Sequence, residues 1–188
     1  LLNALLATLL QHRRLQPAAL AVANDLATRL GCDRVSIGFE HAGQVRPLVI
    51  SHTATFDPRA DLVRSLGQAM DEAFDLGIAV VHPAESGTEL RAMAHAEAAR
   101  DLKVDAMLSV PLLDAGQALG VVTLERSGGP AFNPDEVRLA RALGVVLGPA
   151  WALHRENSRS LWQRLADGGR DVRTAVLGPN HPGLKLIA

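Results

Sequence analysis

The chain is short of several things. It has one cysteine, Cys32, no tyrosine, and 3 % aromatic residues in 188. A single cysteine excludes a disulfide framework and any multi-cysteine metal site, and it suits a reducing, cytoplasmic compartment. Charge of one sign is also missing: 19 Lys and Arg against 20 Asp and Glu leave a net charge of -1. No basic cluster stands out, which argues against a nucleic-acid footprint. No uninterrupted apolar run reaches the ~18 residues of a membrane span. The opening "LLNALLATLLQHRR" lacks the basic start of a signal peptide, and Leu1 in place of Met reads as a piece cut from a longer protein. What is present is 48 % apolar residues, enough for the core of one domain, with Ala and Leu filling it in place of aromatics.

Periodicity sets out the elements. Leu1, Leu2, Leu5, Leu6, Leu9 and Leu10 form one helical stripe. Pro17 predicts a break, giving helices over 1–14 and 17–30, the second ended by Gly31. "RVSIGFE" and "QVRPLVIS" alternate with period two around the turn "HAGQ", a first hairpin whose Pro47 suits an edge strand. "FDPRADLVRSLGQAMDEAF" predicts a helix with Asp57 as N-cap and Pro58 first, presenting Leu62, Leu66, Ala69, Met70, Ala73 and Phe74 on one face and closed by Gly77. "IAVVH" is a short strand, and "SGTELRAMAHAEAARDL" a helix opened by a capping box from Ser86 to Glu89.

A second hairpin turns at Asp114, Ala115, Gly116 and Gln117. Leu119, Val121 and Thr123 point to one side, and Gly120, Val122 and Leu124 to the other. Both sides are largely apolar, so the sheet must be covered on both faces. The last helix starts at Asn133 and Pro134, with Asp135 and Glu136 in its first turn and a staple between Phe132 and Val137. It is expected to reach about Leu165, kink near Gly148-Pro149 and end at Gly168-Gly169. The fold class is α+β with an antiparallel sheet as spine. Residues 1–167 form the domain and 168–188 a linker.

Four stretches in order carry a family resemblance: "LAVANDLATRLGCDRVSIGFE", "SVPLL", "ALGVVTLERS" and "FNPDEVRLARAL". Over roughly residues 15–155 they resemble the GAF domain family. The resemblance implies a central antiparallel sheet with helices on both faces. It also implies terminal helices that pair in a homodimer, and a small-molecule pocket between the sheet and the middle helices. The function implied is non-catalytic: sensing a small ligand and passing a shape change to an output domain. The tail, "RENSRSLWQRLADGGRDVRTAVLGPNHPGLKLIA", ends in an apolar "LKLIA". It reads either as an arbitrary C-terminus or as the approach to a membrane anchor. The latter layout resembles bacterial proteins in which a cytoplasmic GAF module precedes a membrane helix and an HlyD-like membrane-fusion adaptor, or a sensor kinase.

Each of the family's specialities needs particular residues. Free methionine sulfoxide reductases of this fold need more than one cysteine, and Cys32 stands alone, reading as a small core residue. Covalent bilin attachment lacks its cysteine, and the cyclic-nucleotide signature has no counterpart. The seven histidines contain no i, i+4 pair of the zinc type. His52, His82 and His95 are placed to converge on haem iron or a polar ligand, or simply to be solvated. No Ser-His-Asp spacing or phosphate-cradling loop supports catalysis. The candidate ligand-binding residues are therefore Phe39, His52, Phe74, His82, Met93 and Ser109, with Met70 beside them. The residues point to no particular cofactor. The competing reading is a dimerisation domain whose pocket is filled by these side chains as ordinary core.

Overall fold

The computed structural model describes residues 1–57, 59–84, 87 and 89–177, and side-chain surroundings through residue 156. Helices α1 (Leu2–Gln11) and α2 (Leu15–Leu30) precede a hairpin of β1 (Arg34–His41) and β2 (Gln44–Ile50). Then come α3 (Asp61–Leu76), β3 (Val80–His82), a 3₁₀ turn (Glu89–Arg91) and α4 (Met93–Leu102). The second hairpin, β4 (Ala106–Asp114) and β5 (Gln117–Arg126), leads into α5 (Pro134–Leu177). The sheet is wholly antiparallel in the order β2-β1-β5-β4-β3. This is the α+β sandwich predicted from the alternation of the strands. Helices α1, α2 and α5 cover one face, and α3 and α4 the other.

The turns explain why the hairpins close in two residues. Ala42 and Gly43 have φ of 54° and 82°, and Ala115 and Gly116 of 48° and 81°. Paired positive φ values match the right-handed twist of the flanking strands. The start of α5 has the expected N-cap, Asn133, and adds a capping box with Glu136. Asn133 Oδ1 accepts the Asp135 and Glu136 N–H groups at 2.9 and 3.0 Å, and the Glu136 carboxylate accepts the Asn133 N–H at 2.8 Å.

Other boundaries moved. Pro17 does not open α2 but sits in its first turn, where backbone donors are unpaired anyway; the break falls at residues 12–14. Helix α3 begins at Asp61, because the Asp57 side chain is already used in a local turn, accepting the Arg59 N–H at 2.9 Å. Pro58 and the Ser86 half of the predicted capping box lie outside the described residues. With the later start, Val63 is buried and Leu62 is exposed. Helix α5 does not stop at Gly168-Gly169 but continues to Leu177, through Pro149. Residues 178–188, including the apolar end of the tail, lie outside the described residues. No helix among the described residues is long and apolar enough to cross a membrane.

Two glycines fix how α5 lies on the sheet. A Cβ on Gly144 would stand 2.3 Å from the Pro111 carbonyl oxygen, and one on Gly148 2.0 Å from that of Leu113. Spaced four apart, they present bare backbone to β4 and let the helix approach it directly. Further along, Arg155 donates to the Leu119 carbonyl at 2.9 Å and the Glu40 carbonyl at 3.2 Å, with its guanidinium 5.6 Å from the Phe39 ring centroid. One side chain of α5 thus ties the helix to the ends of β1 and β5.

Candidate functional site

Strand pairing lines up a row of polar side chains. Ser109 on β4 faces Thr123 on β5, which faces Ser36 on β1. The row ends in Val80 on β3 and Ile50 on β2. Directly paired residues share a face. Val80 and Ile50 pack with Val63, Leu66 and Met70 of α3, so the row lies on the α3/α4 face. Two residues along, the next row on this face reads His82, Met107, Glu125, Arg34. Ser36, Ser109, Thr123 and Glu125 are all fully inaccessible to solvent.

Part of this polar set is satisfied internally. The Ser109 and Thr123 hydroxyls bond each other at 2.8 Å. Glu125 is held through Oε2 by Arg34, whose Nε donates at 2.9 Å. Above the sheet, the carboxylate of Glu72 on α3 accepts the Ala94 and His95 N–H groups at 2.9 and 3.2 Å. It thereby caps α4, whose own N-cap is an alanine. Glu72 also accepts the Nδ1–H of the fully buried His95 at 2.6 Å.

Among the described residues, three buried atoms on this side are left without partners: Ser36 Oγ, Glu125 Oε1 and His95 Nε2. Each buried polar atom left unpaired costs about 1–3 kcal/mol, so a set of three calls for a reason. The electrostatics follow the same geometry. Burial pushes the Glu125 carboxyl above its ordinary value, against the pull of Arg34. Burial also acts on Glu72, but the His95 ring and the Ala94 and His95 N–H donors outweigh it and hold the group below its ordinary value. His82 is held low by burial and then by His95 and Arg100.

The residues named from sequence fall in different places. Ser109 lies in the polar row, and His82 is on the same face in the adjoining row. Phe74 packs partly buried beside Met70 on α3. Phe39 lies on the opposite face, edge-on to Trp151 of α5 at 5.6 Å between centroids. Its parity in β1 is opposite to that of Ser36 and Gly38. His52 is exposed at the end of β2, its N–H bonded to Asn24 Oδ1 at 2.8 Å, and so does not converge with His82 and His95. Met93, on the first turn of α4, is 63 % exposed. Among the described residues no three His, Cys, Asp or Glu side chains gather as a metal set. Cys32 is buried, with its thiol pushed up to about 11 chiefly by burial.

Sequence reading missed Ser36, Thr123, Glu125, Arg34 and Glu72. The available signal was a polar residue at alternate positions within apolar strands, as in "VSI", "LSV" and "VTLE". A polar side chain facing into a doubly covered sheet needs a partner or a ligand.

The arrangement has known counterparts. The GAF domain family matches residues 14–151. Among solved structures, the chain is similar to residues 122 to 287 of a methyl-accepting chemotaxis protein, at 16 % identity and a TM-score of 0.59, covering 80 % of this chain and 96 % of that one. It is also similar to the phytochrome photosensory core module of Stigmatella aurantiaca, at 22 % identity and a TM-score of 0.61, covering 89 % of this chain and 38 % of that one. A free methionine-R-sulfoxide reductase from Neisseria meningitidis, in complex with its substrate, aligns at 15 % identity and a TM-score of 0.60, over 82 % and 88 % of the two chains. No curated protein matches. Such identities establish the fold alone; GAF domains are generally sensory or regulatory modules. With the family's match spanning α2 through the Trp151 turn of α5, and the sheet, layers and hairpins in place, the chain belongs to the GAF domain family.

Proposed function

We propose that this chain is a non-catalytic sensory GAF module. It binds a small ligand on the α3/α4 face of the sheet and passes the signal through α1, α2 and α5 of a homodimer to an attached domain. The observation that carries the reading is the buried set of unpartnered polar atoms, Ser36 Oγ, Glu125 Oε1 and His95 Nε2, on one side of the sheet. With its Nδ1–H given to Glu72, neutral His95 offers Nε2 as an acceptor, and ionised Glu125 offers Oε1 as another. The ligand that complements these atoms is rich in N–H donors, such as a small amine or amide. Ser109 and His82 belong to its surroundings. Arg155 and the Phe39–Trp151 contact are the route by which a change in the sheet reaches α5.

A second reading is a dimerisation domain with a filled pocket. It is favoured by the apolar cluster of Ile50, Val63, Met70, Val80 and Val121, with Phe56 and Phe74, beside the polar row. Thermal-shift screening of a metabolite library enriched in amines and amides separates the two. A sensor gives at least one compound that raises the melting temperature of the native chain and loses most of its effect on E125Q and S36V. A library without a single stabilising compound, or equal shifts in both variants, leaves the filled-pocket reading standing.

A further inference from the structure

The two edges of the sheet are treated differently. On β2 the outward backbone is closed: the Val45 N–H is taken by the Asp71 carboxylate of α3, and two residues on, Pro47 has no N–H to offer. Capping and proline are the ordinary means of keeping an edge from pairing with another chain. On β3, the other edge, Val80–His82 carries neither a proline nor a fixed charge within the strand; Pro83 follows it.

Beside β3 lies a slot of about 150 Å³, lined by Ile78, Val81, Ala92, Val137, Arg91 and Arg141. Arg91 comes from the 3₁₀ turn before α4 and Arg141 from α5, so both helical layers contribute a cation. Both arginines are exposed, and neither has an ion pair or hydrogen bond among the described residues. The neighbouring apolar side chains reach solvent as well: Ile78 is 45 % exposed, Leu90 87 % and Met93 63 %. Metabolite pockets run from roughly 300 to 1,000 Å³. The slot is the size of one apolar side chain, not of a whole small ligand.

We propose that the β3 edge is a docking site for an extended acidic segment of another polypeptide, which adds beside β3 as a sixth strand. One apolar side chain of that segment fills the slot over Ile78, Val81 and Val137, and its carboxylates face Arg91 and Arg141. Main-chain bonds to β3 supply affinity, and the slot and arginines supply sequence preference. This site is separate from the polar row on the α3/α4 face and stands whether or not that row binds a ligand.

The test uses the full chain and a fluorescein-labelled peptide with one central leucine flanked on both sides by glutamates, so that carboxylates point to both faces of the added strand. Anisotropy is expected to show saturable binding that weakens with added salt. The R91Q/R141Q double variant, altered only at exposed side chains, is expected to lose roughly tenfold in affinity. Hydrogen exchange is expected to slow at β3 when the peptide is bound. The proposal is overturned by absent binding, by equal binding of a leucine–lysine peptide, by an unchanged affinity in the double variant, or by protection that falls on β2 instead. It is also overturned if isovalerate binds as well as the peptide, since the strand edge would then contribute nothing, or if the chain self-associates through β3 and excludes the peptide.

Discussion

Glu125 and Glu72 are carboxylates whose surroundings push them in opposite directions, and pH separates them. For Glu125, burial raises the folded-state value above the usual 4.5. At neutral pH the charge therefore costs stability. As pH falls through the raised value toward 4.5, the folded state takes up a proton first and stability is gained. Glu72 is lowered, so its contribution is present above the usual 4.5 and is lost as pH falls below that through the depressed value. Urea denaturation across pH is expected to show native protein gaining on E125Q between neutral pH and about 4.5. A difference that stays flat there would mean that Glu125 is not raised. R34A leaves Glu125 buried without its cation, at an expected cost of ~3 kcal/mol. This is the low end of the range, because 32 % of the Arg34 side chain reaches solvent. Adding E125Q to R34A should recover part of the loss, since the stranded charge is gone. None of this was legible in "VTLER", where Glu125 and Arg126 look alike. Only pairing with β1 puts Glu125 under α3 and α4 and sends Arg126 to Glu136 and the Leu30 carbonyl.

At the scale of elements, α5 and β2 offer contrasting tests. Helix propensity alone predicts that alanine at Gly144 or Gly148 stabilises α5 by about 1 kcal/mol. The close approach to β4 predicts the opposite sign, because the new Cβ meets the Pro111 or Leu113 carbonyl oxygen at 2.3 or 2.0 Å. G148A is expected to cost about 2–3 kcal/mol and G144A slightly less, read by thermal unfolding. A neutral or stabilising outcome would show that the helix stands off the strand. At the β2 edge, D71A frees the Val45 N–H, and about 1 kcal/mol of lost stability is expected together with association that rises with concentration. The N-cap at Asn133 was readable because its partners lie within one turn. The start of α3 was misread because Asp57 had two local uses, and the sequence does not say which one its carboxylate takes.

For the whole molecule, Leu10 on α1 is 72 % exposed, and Val145 and Leu153 on α5 are 55 % and 63 % exposed. Apolar side chains left open on the terminal helices are what a second copy would cover. Sedimentation equilibrium at high micromolar concentration is expected to give a dimer, and L153E a monomer with unchanged far-ultraviolet circular dichroism. A native chain that stays monomeric there removes the dimeric part of the functional reading. The polar row of Ser36, Thr123 and Ser109 also exists only at this scale, because its members come from strands up to 87 positions apart in the numbering (123 − 36) and meet through two long-range pairings.

By itself the sequence determined the number, order and type of the elements, both hairpin turns and the start of α5. Those features rest on forces acting within a few residues: backbone preference, capping and the spacing of apolar side chains. The tertiary structure alone decided which side of the sheet each strand residue faces, placing Phe39 against Trp151 and Ser36 in line with Thr123 and Ser109. A strand turns successive side chains to opposite faces, so local alternation yields two sets. Only register with strands distant in the chain, and the helices packed on each side, assign one set to the terminal helices and the other to the candidate site.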